Sequence, residues 1–122
     1  MKRMVNLIGA GAVALLLSSG ALAADSSMVT PTQVAAATTA ADHEAIAREY
    51  DAEAATAEAK AKEHESMVKS YEVAARSPKN ASPKSMVTHC KNLVKNYQEA
   101  AKNYRALAAD HRKMAEDCCK SH

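Results

Sequence analysis

Between His43 and Cys118 the apolar and aromatic residues recur in alternating steps of four and three. The first row is His43, Ala47, Tyr50, Ala54, Ala57, Ala61, His64, Val68, Tyr71 and Ala75. After a break the rhythm resumes as Met86, Cys90, Leu93, Tyr97, Ala100, Tyr104, Leu107, His111, Met114 and Cys118. A repeat averaging 3.5 residues winds helices about each other along a shared seam. The pattern predicts an all-α fold, an antiparallel two-helix coiled-coil hairpin.

Local signals set the predicted boundaries: helix 42–76, turn 77–82 and helix 83–119, with residues 120–122 as a tail. Thr39, followed three residues later by Asp42, resembles a capping arrangement. Glu44/Arg48, Glu58/Lys62, Glu65/Lys69 and Glu72/Arg76 each place an acid four residues before a base, the favourable order on a helix. Pro78 disfavours helical geometry at Ser77 and ends the first helix. Ser82-Pro83 starts the second as an N-cap followed by proline in the first turn. So short a connection makes the two helices antiparallel neighbours.

The turn suggests a register. Ala75 pairs with Met86, Val68 with Leu93, Ala61 with Ala100, Ala54 with Leu107 and Ala47 with Met114. The alternate layers pair Tyr71 with Cys90, His64 with Tyr97, Ala57 with Tyr104, Tyr50 with His111 and His43 with Cys118. Large side chains mostly meet small ones, as close packing requires. Two layers set a histidine against a tyrosine whose hydroxyl could satisfy a ring nitrogen.

A second apolar row, Val87, Val94, Ala101, Ala108 and Ala115, flanks the predicted seam of the second helix. The corresponding row of the first helix is acidic: Glu44, Asp51, Glu58, Glu65 and Glu72. An apolar stripe left over after intrachain pairing predicts a homodimer, two hairpins forming a four-helix bundle. The alternative is that the acidic side chains lie across these small residues toward Lys91, Arg105 and Arg112.

Upstream of the helices, residues 1–23 read as an export signal. Lys2 and Arg3 precede a mostly apolar stretch from Val5 to Leu17, and Ala21-Leu22-Ala23 is a small-x-small cleavage pattern. Cleavage after Ala23 predicts a periplasmic protein, and no other segment approaches the roughly 18 apolar residues of a membrane span. Residues 24–41, rich in Ala, Ser and Thr, read as a flexible tether.

Removing the leader takes two of the 16 basic residues and leaves 14 against 14 acids. A neutral chain has no electrostatic footprint for nucleic acid. Its charge is split instead: nine acids and five bases from Asp42 to Arg76, four acids and eight bases from Lys84 to Lys120. Arms of opposite sign favour pairing within one chain; besides a second copy, another envelope protein is a candidate partner.

Candidate chemistry is confined to soft donors. At the open end of the predicted hairpin, His43, His111, Met114, Cys118, Cys119 and His122 could hold copper or zinc through imidazole, thioether and thiolate. Near the turn, Met86, His89 and Cys90 share a helical face, and His64 with Met67 forms a further pair. The competing reading is that these histidines and methionines are packing residues. Cys90 and Cys118 lie roughly 42 Å apart along one helix, too far to bridge within a chain. Export into an oxidising compartment with three cysteines points to an intermolecular disulfide between Cys90 and Cys118; the alternative is that Cys90 is a small buried hydrophobe and the terminal cysteine pair a frayed end. No catalytic site is expected. The mature chain lacks glycine for a phosphate loop, and a hairpin offers no concave pocket.

The runs HEAIAREY, AKAKEHESM and THCKNLVKNYQEAAKNYRALAADHRKMA resemble those of small secreted (periplasmic) alanine-rich helical-hairpin proteins of proteobacteria. The resemblance spans most of residues 43 to 115. It implies a periplasmic hairpin and supplies no activity.

Overall fold

The computed structural model describes residues 28–79, 83–118 and 120. The predicted leader, Ser82, Cys119 and His122 lie outside them. Among the described residues the fold is all-helical, in the order α1 (Pro31–Ala36), α2 (Ala40–Ala74) and α3 (Pro83–Cys118). The two long helices pack against each other as a hairpin. Glu72 meets Lys91 near the turn, and Asp51 meets Arg112 toward the opposite end, so the helices run antiparallel. At 1.5 Å per residue each is roughly 50 Å long.

The start of α2 follows directly from its sequence. Thr39 is extended, and its Oγ1 accepts from the Asp42 backbone N–H at 3.1 Å. Asp42 Oδ2 in turn accepts from the N–H groups of Thr39 at 3.0 Å and Thr38 at 3.1 Å. These bonds occupy donors that a helix start otherwise leaves unpaired. They also hold the Asp42 carboxyl below the usual carboxylate range, the Thr38 N–H first and Thr39 next. The helix ends at Ala74, and Arg76 and Ser77 donate to the carbonyls of Val73 and Ala74 as the chain turns before Pro78.

The seam of α2 lies where the periodicity puts it. His43, Ala47, Ala54, Ala57 and Ala61 are buried, and Tyr50, His64, Val68, Tyr71 and Ala75 are half-buried. Helix α3 is rotated from expectation. Cys90, Tyr97, Tyr104, His111 and Cys118 face inward or lie half-buried as predicted, but the alternate inner row is Val87, Val94, Ala101, Ala108 and Ala115. Ala108 is fully buried, whereas Met86, Leu93, Leu107 and Met114 remain 36–48% exposed. The row expected to be left over is therefore the packed one, and the bulkier row faces solvent.

Two physical causes act together. Small residues in facing rows let helix axes approach closely. The same rotation also brings basic α3 positions alongside the acidic row of α2. Glu72 pairs with Lys91 at 2.9 Å, Glu58 with Arg105 at 2.7 Å, and Asp51 with Arg112. Gln98 donates to Glu65 at 3.3 Å and completes the series. Each rung is seven residues from the next on both helices, so the charge pattern repeats with the coil.

Residues 28–39 depart from a uniform tether because they include α1. Thr30 caps this helix: its Oγ1 accepts from the Gln33 N–H at 3.2 Å, and Gln33 Oε1 accepts from the Thr30 N–H at 2.7 Å. Pro31 at the first helical position suits its fixed φ. Gln33 Nε2 then donates to Glu49 on α2 at 3.2 and 3.3 Å. Beside this contact Ile46, outside the predicted seam, is 4% exposed. No helix of the described residues is long and apolar enough to cross a membrane.

Candidate functional site

The open end of the hairpin gathers the most chemically distinctive side chains. His43 comes from the first turn of α2, held in place by the Thr39 cap, and His111 from the last two turns of α3. Their Nδ1 atoms lie 3.1 Å apart, and both residues are buried, each 7% exposed. The ring centroids are 5.3 Å apart at 37°. One Nδ1 must carry a proton and the other a lone pair for this contact to be a hydrogen bond.

His111 sits between two inward positions of α2 that flank Ala47. It touches His43 on one side and Tyr50 on the other, the latter at 5.7 Å between centroids. Tyr50 also stacks on Tyr104 at 6.2 Å. The predicted Tyr50–His111 neighbours do meet, but His43 faces His111 where the sequence register expects Cys118. Side chains of α3 enter gaps between α2 side chains, as knobs fill holes in a coiled coil. Burial, and then the neighbouring His43, lowers the His111 pKa below its ordinary value, with Asp110 opposing. His111 is thereby favoured as neutral imidazole near pH 7, the ligating form.

Among the described residues, the remaining predicted donors do not converge with this pair. Cys118 Sγ donates to the Thr38 carbonyl at 3.5 Å. Met114 belongs to the exposed outer row at 48% exposure. Near the turn Cys90 is buried in the seam, while Met86 and His89 are exposed. Among the described residues no three His, Cys, Asp or Glu side chains form a group able to hold a metal ion. Cys119 and His122, the other predicted donors, lie outside the described residues. Cys90 and Cys118 are free thiols. A crosslink through Cys90 to another chain requires the hairpin to open, because its side chain is turned into the seam.

In the middle of the hairpin His64 stacks on Tyr97 at 5.6 Å, with ring planes within 10°. Lys60 Nζ lies 5.6 Å from the Tyr97 ring centroid. The expected hydroxyl partner for His64 is absent: its buried Nδ1 has no hydrogen-bond partner. Face-to-face stacking explains this, since it directs the tyrosine hydroxyl along the plane of the ring and away from the imidazole edge.

The second candidate is a surface. Met86, Leu93, Ala100, Leu107 and Met114 repeat every seven residues along α3. The row beside them, three residues on, is His89, Asn96, Asn103 and Asp110, with one formal charge at neutral pH when His89 is neutral. The sequence periodicity finds both rows of α3 and exchanges their roles. The signal for the correct choice is the matched heptad spacing of Asp51, Glu58, Glu65 and Glu72 with Lys91, Gln98, Arg105 and Arg112. No protein-family model, curated protein or solved structure matches the chain.

Proposed function

We propose that the protein is an exported, periplasmic interaction module without catalytic activity, whose hairpin self-associates through the outer face of α3. The observation that carries this reading is the outer row Met86, Leu93, Ala100, Leu107 and Met114, exposed at its four large residues. It spans roughly 42 Å of helix and is symmetric about Ala100. A second copy laid antiparallel along it brings Met86 beside the partner's Met114 and Leu93 beside the partner's Leu107. The Ala100 residues meet at the two-fold axis. A twofold interface must use the same patch on both subunits, and a palindromic row meets that requirement. On the adjacent row, the same axis brings Asn96 near the partner's Asn103, and His89 near the partner's Asp110.

A homodimer through Val87, Val94, Ala101, Ala108 and Ala115, the row the sequence favours, is closed because that row packs on α2. The dimer proposed here uses the opposite choice of row and leaves the intrachain ion pairs intact. The test is sedimentation equilibrium on the chain lacking residues 1–23. The wild type should sediment as a dimer, and the pair Leu93→Glu with Leu107→Glu as a monomer with undiminished helical circular dichroism. A wild-type monomer at high micromolar concentration would leave the face for a different envelope protein and overturn self-association.

A further inference from the structure

We propose that His43 and His111 form an acid-sensitive latch, which holds the open end of the hairpin shut while the pair shares a proton and releases it when both Nδ1 atoms carry one. The geometry behind this is the direct contact of the two Nδ1 atoms at 3.1 Å between two buried rings. In the neutral pair one Nδ1–H donates to the lone pair of the other. A first added proton enters the donating ring at Nε2 and leaves that hydrogen bond in place. A second must enter at the accepting Nδ1. Two N–H groups and two positive charges then face each other in the seam, and the rings must part.

The surroundings offer little to offset the second charge. On α2 the Asp42 carboxylate is engaged by the N–H groups of Thr38 and Thr39, while Glu44 and Asp51 act on Arg112. On α3, Asp110 is exposed and opposes the lowering of the His111 pKa only as the least of its causes. Tyr50 packs on His111 and Tyr104 on Tyr50. From the chain ahead of α2, the Thr38 carbonyl accepts from Cys118 Sγ. Among the described residues the only hydrogen bond of either ring is the one to the other.

Burial first, and then His43, hold His111 below its ordinary pKa. Its contribution to stability is present above the ordinary histidine range and is lost as pH falls through that range toward the lower folded value. Asp42, itself held low, keeps the α2 cap charged in this window. Beyond His111, α3 has two turns left, anchored by buried Ala115 and the Cys118–Thr38 contact. Release is therefore local to this end.

The experiment uses the chain without residues 1–23. Imidazole proton resonances, and amide hydrogen exchange corrected for the intrinsic effect of pH, are followed from about pH 7.5 to about pH 4.5, which spans the histidine range. The pair should titrate in two separate steps. Opening around His43 and His111 should rise roughly tenfold per pH unit below the second step, the slope of one proton taken up on opening. Amides around Ala61 should stay protected. His43→Gln and His111→Gln should each stay shut, because the amide donates or accepts as the remaining imidazole requires and adds no charge. His64→Leu combined with His122→Ala should open as the wild type does. The wild-type measurements stand even where a glutamine variant loses its helical circular dichroism. Constant exchange in the wild type, or opening that follows the first protonation, would overturn the proposal. So would acid opening that persists in a folded glutamine variant or is lost in His64→Leu/His122→Ala.

Discussion

Glu58 Oε1 on α2 accepts from both Nε and Nη2 of Arg105 on α3, at 3.2 and 2.7 Å. The guanidinium engages one oxygen through two donors, and the pairing raises the Arg105 pKa further above its ordinary value. Glu72 is correspondingly held below the usual carboxylate range by Lys91. These groups are exposed, so each pair stabilises the fold only modestly and is screened by salt. Their importance is directional: repeated every seven residues, they choose which face of α3 turns inward.

Charge reversal tests that role. Glu58→Lys should lower the unfolding midpoint, and adding Arg105→Glu should recover most of the loss. The coupling should shrink in high salt. For Glu72, the sign follows from its lowered pKa. Its contribution is present above the ordinary glutamate range and is lost as pH falls through that range toward the lower folded value. Thermal melts at descending pH should therefore show a smaller acid-induced loss in Glu72→Gln than in the wild type. Equal acid losses would show that the Lys91 contact contributes nothing in solution.

The rotation of α3 makes a sharper prediction about neighbouring residues. Ala108 is fully buried, while Leu107 is 40% exposed. Ala108→Leu should destabilise the hairpin by about 1–3 kcal/mol through overpacking. Leu107→Ala should change the unfolding free energy of the isolated hairpin by less than about 0.5 kcal/mol. The measurement is urea unfolding at concentrations where the protein is monomeric. A reversed order of the two effects would mean that the outer and inner rows have been exchanged.

The contrast between Ala108 and Leu107 also marks where legibility in the sequence ends. The hairpin, the Thr39 cap, the Pro83 helix start and the α2 seam are legible because each depends on a local signal or an unambiguous period. The α3 rotation is legible only as the alternative that lays the acidic row across the small residues toward Lys91, Arg105 and Arg112, because two apolar rows lie side by side and hydrophobic weight favours Met86, Leu93, Leu107 and Met114. Alanine contributes little apolar area, so its value at a close helix contact is invisible to a hydrophobic count. Helix α1 escapes for a different reason: Thr30-Pro31-Thr32-Gln33 carries a capping box and an initial proline inside an otherwise featureless stretch. The His43–His111 contact is hidden because a register of directly opposed layers does not describe side chains that interleave.

Loss of the α2 cap should be felt at the open end of the hairpin. Thr39→Ala removes the oxygen that accepts from Asp42 N–H and frees part of the Asp42 network. A cost of about 1 kcal/mol is expected. Hydrogen exchange should quicken first in the opening turns of α2, around His43, with little change near Ala61. Uniform quickening along α2 would mean that the cap acts on global stability alone.

The middle layer offers the last test, because His64 and Tyr97 are stacked yet unequal. His64 buries an Nδ1 without a partner, and such a group typically costs about 1–3 kcal/mol in desolvation. His64→Leu removes that group while keeping an apolar body in the layer, so the unfolding midpoint should rise. Tyr97→Ala removes a half-buried ring that contacts His64 and lies near Lys60. It should cost about 2 kcal/mol, less than the roughly 3–5 kcal/mol of a fully buried aromatic truncation. In the double variant the two effects should not add, since residues in contact share their interaction energy. Thermal and urea unfolding of the four proteins completes the cycle. A fall in stability for His64→Leu would show that the imidazole edge finds a partner in solution that outweighs its desolvation.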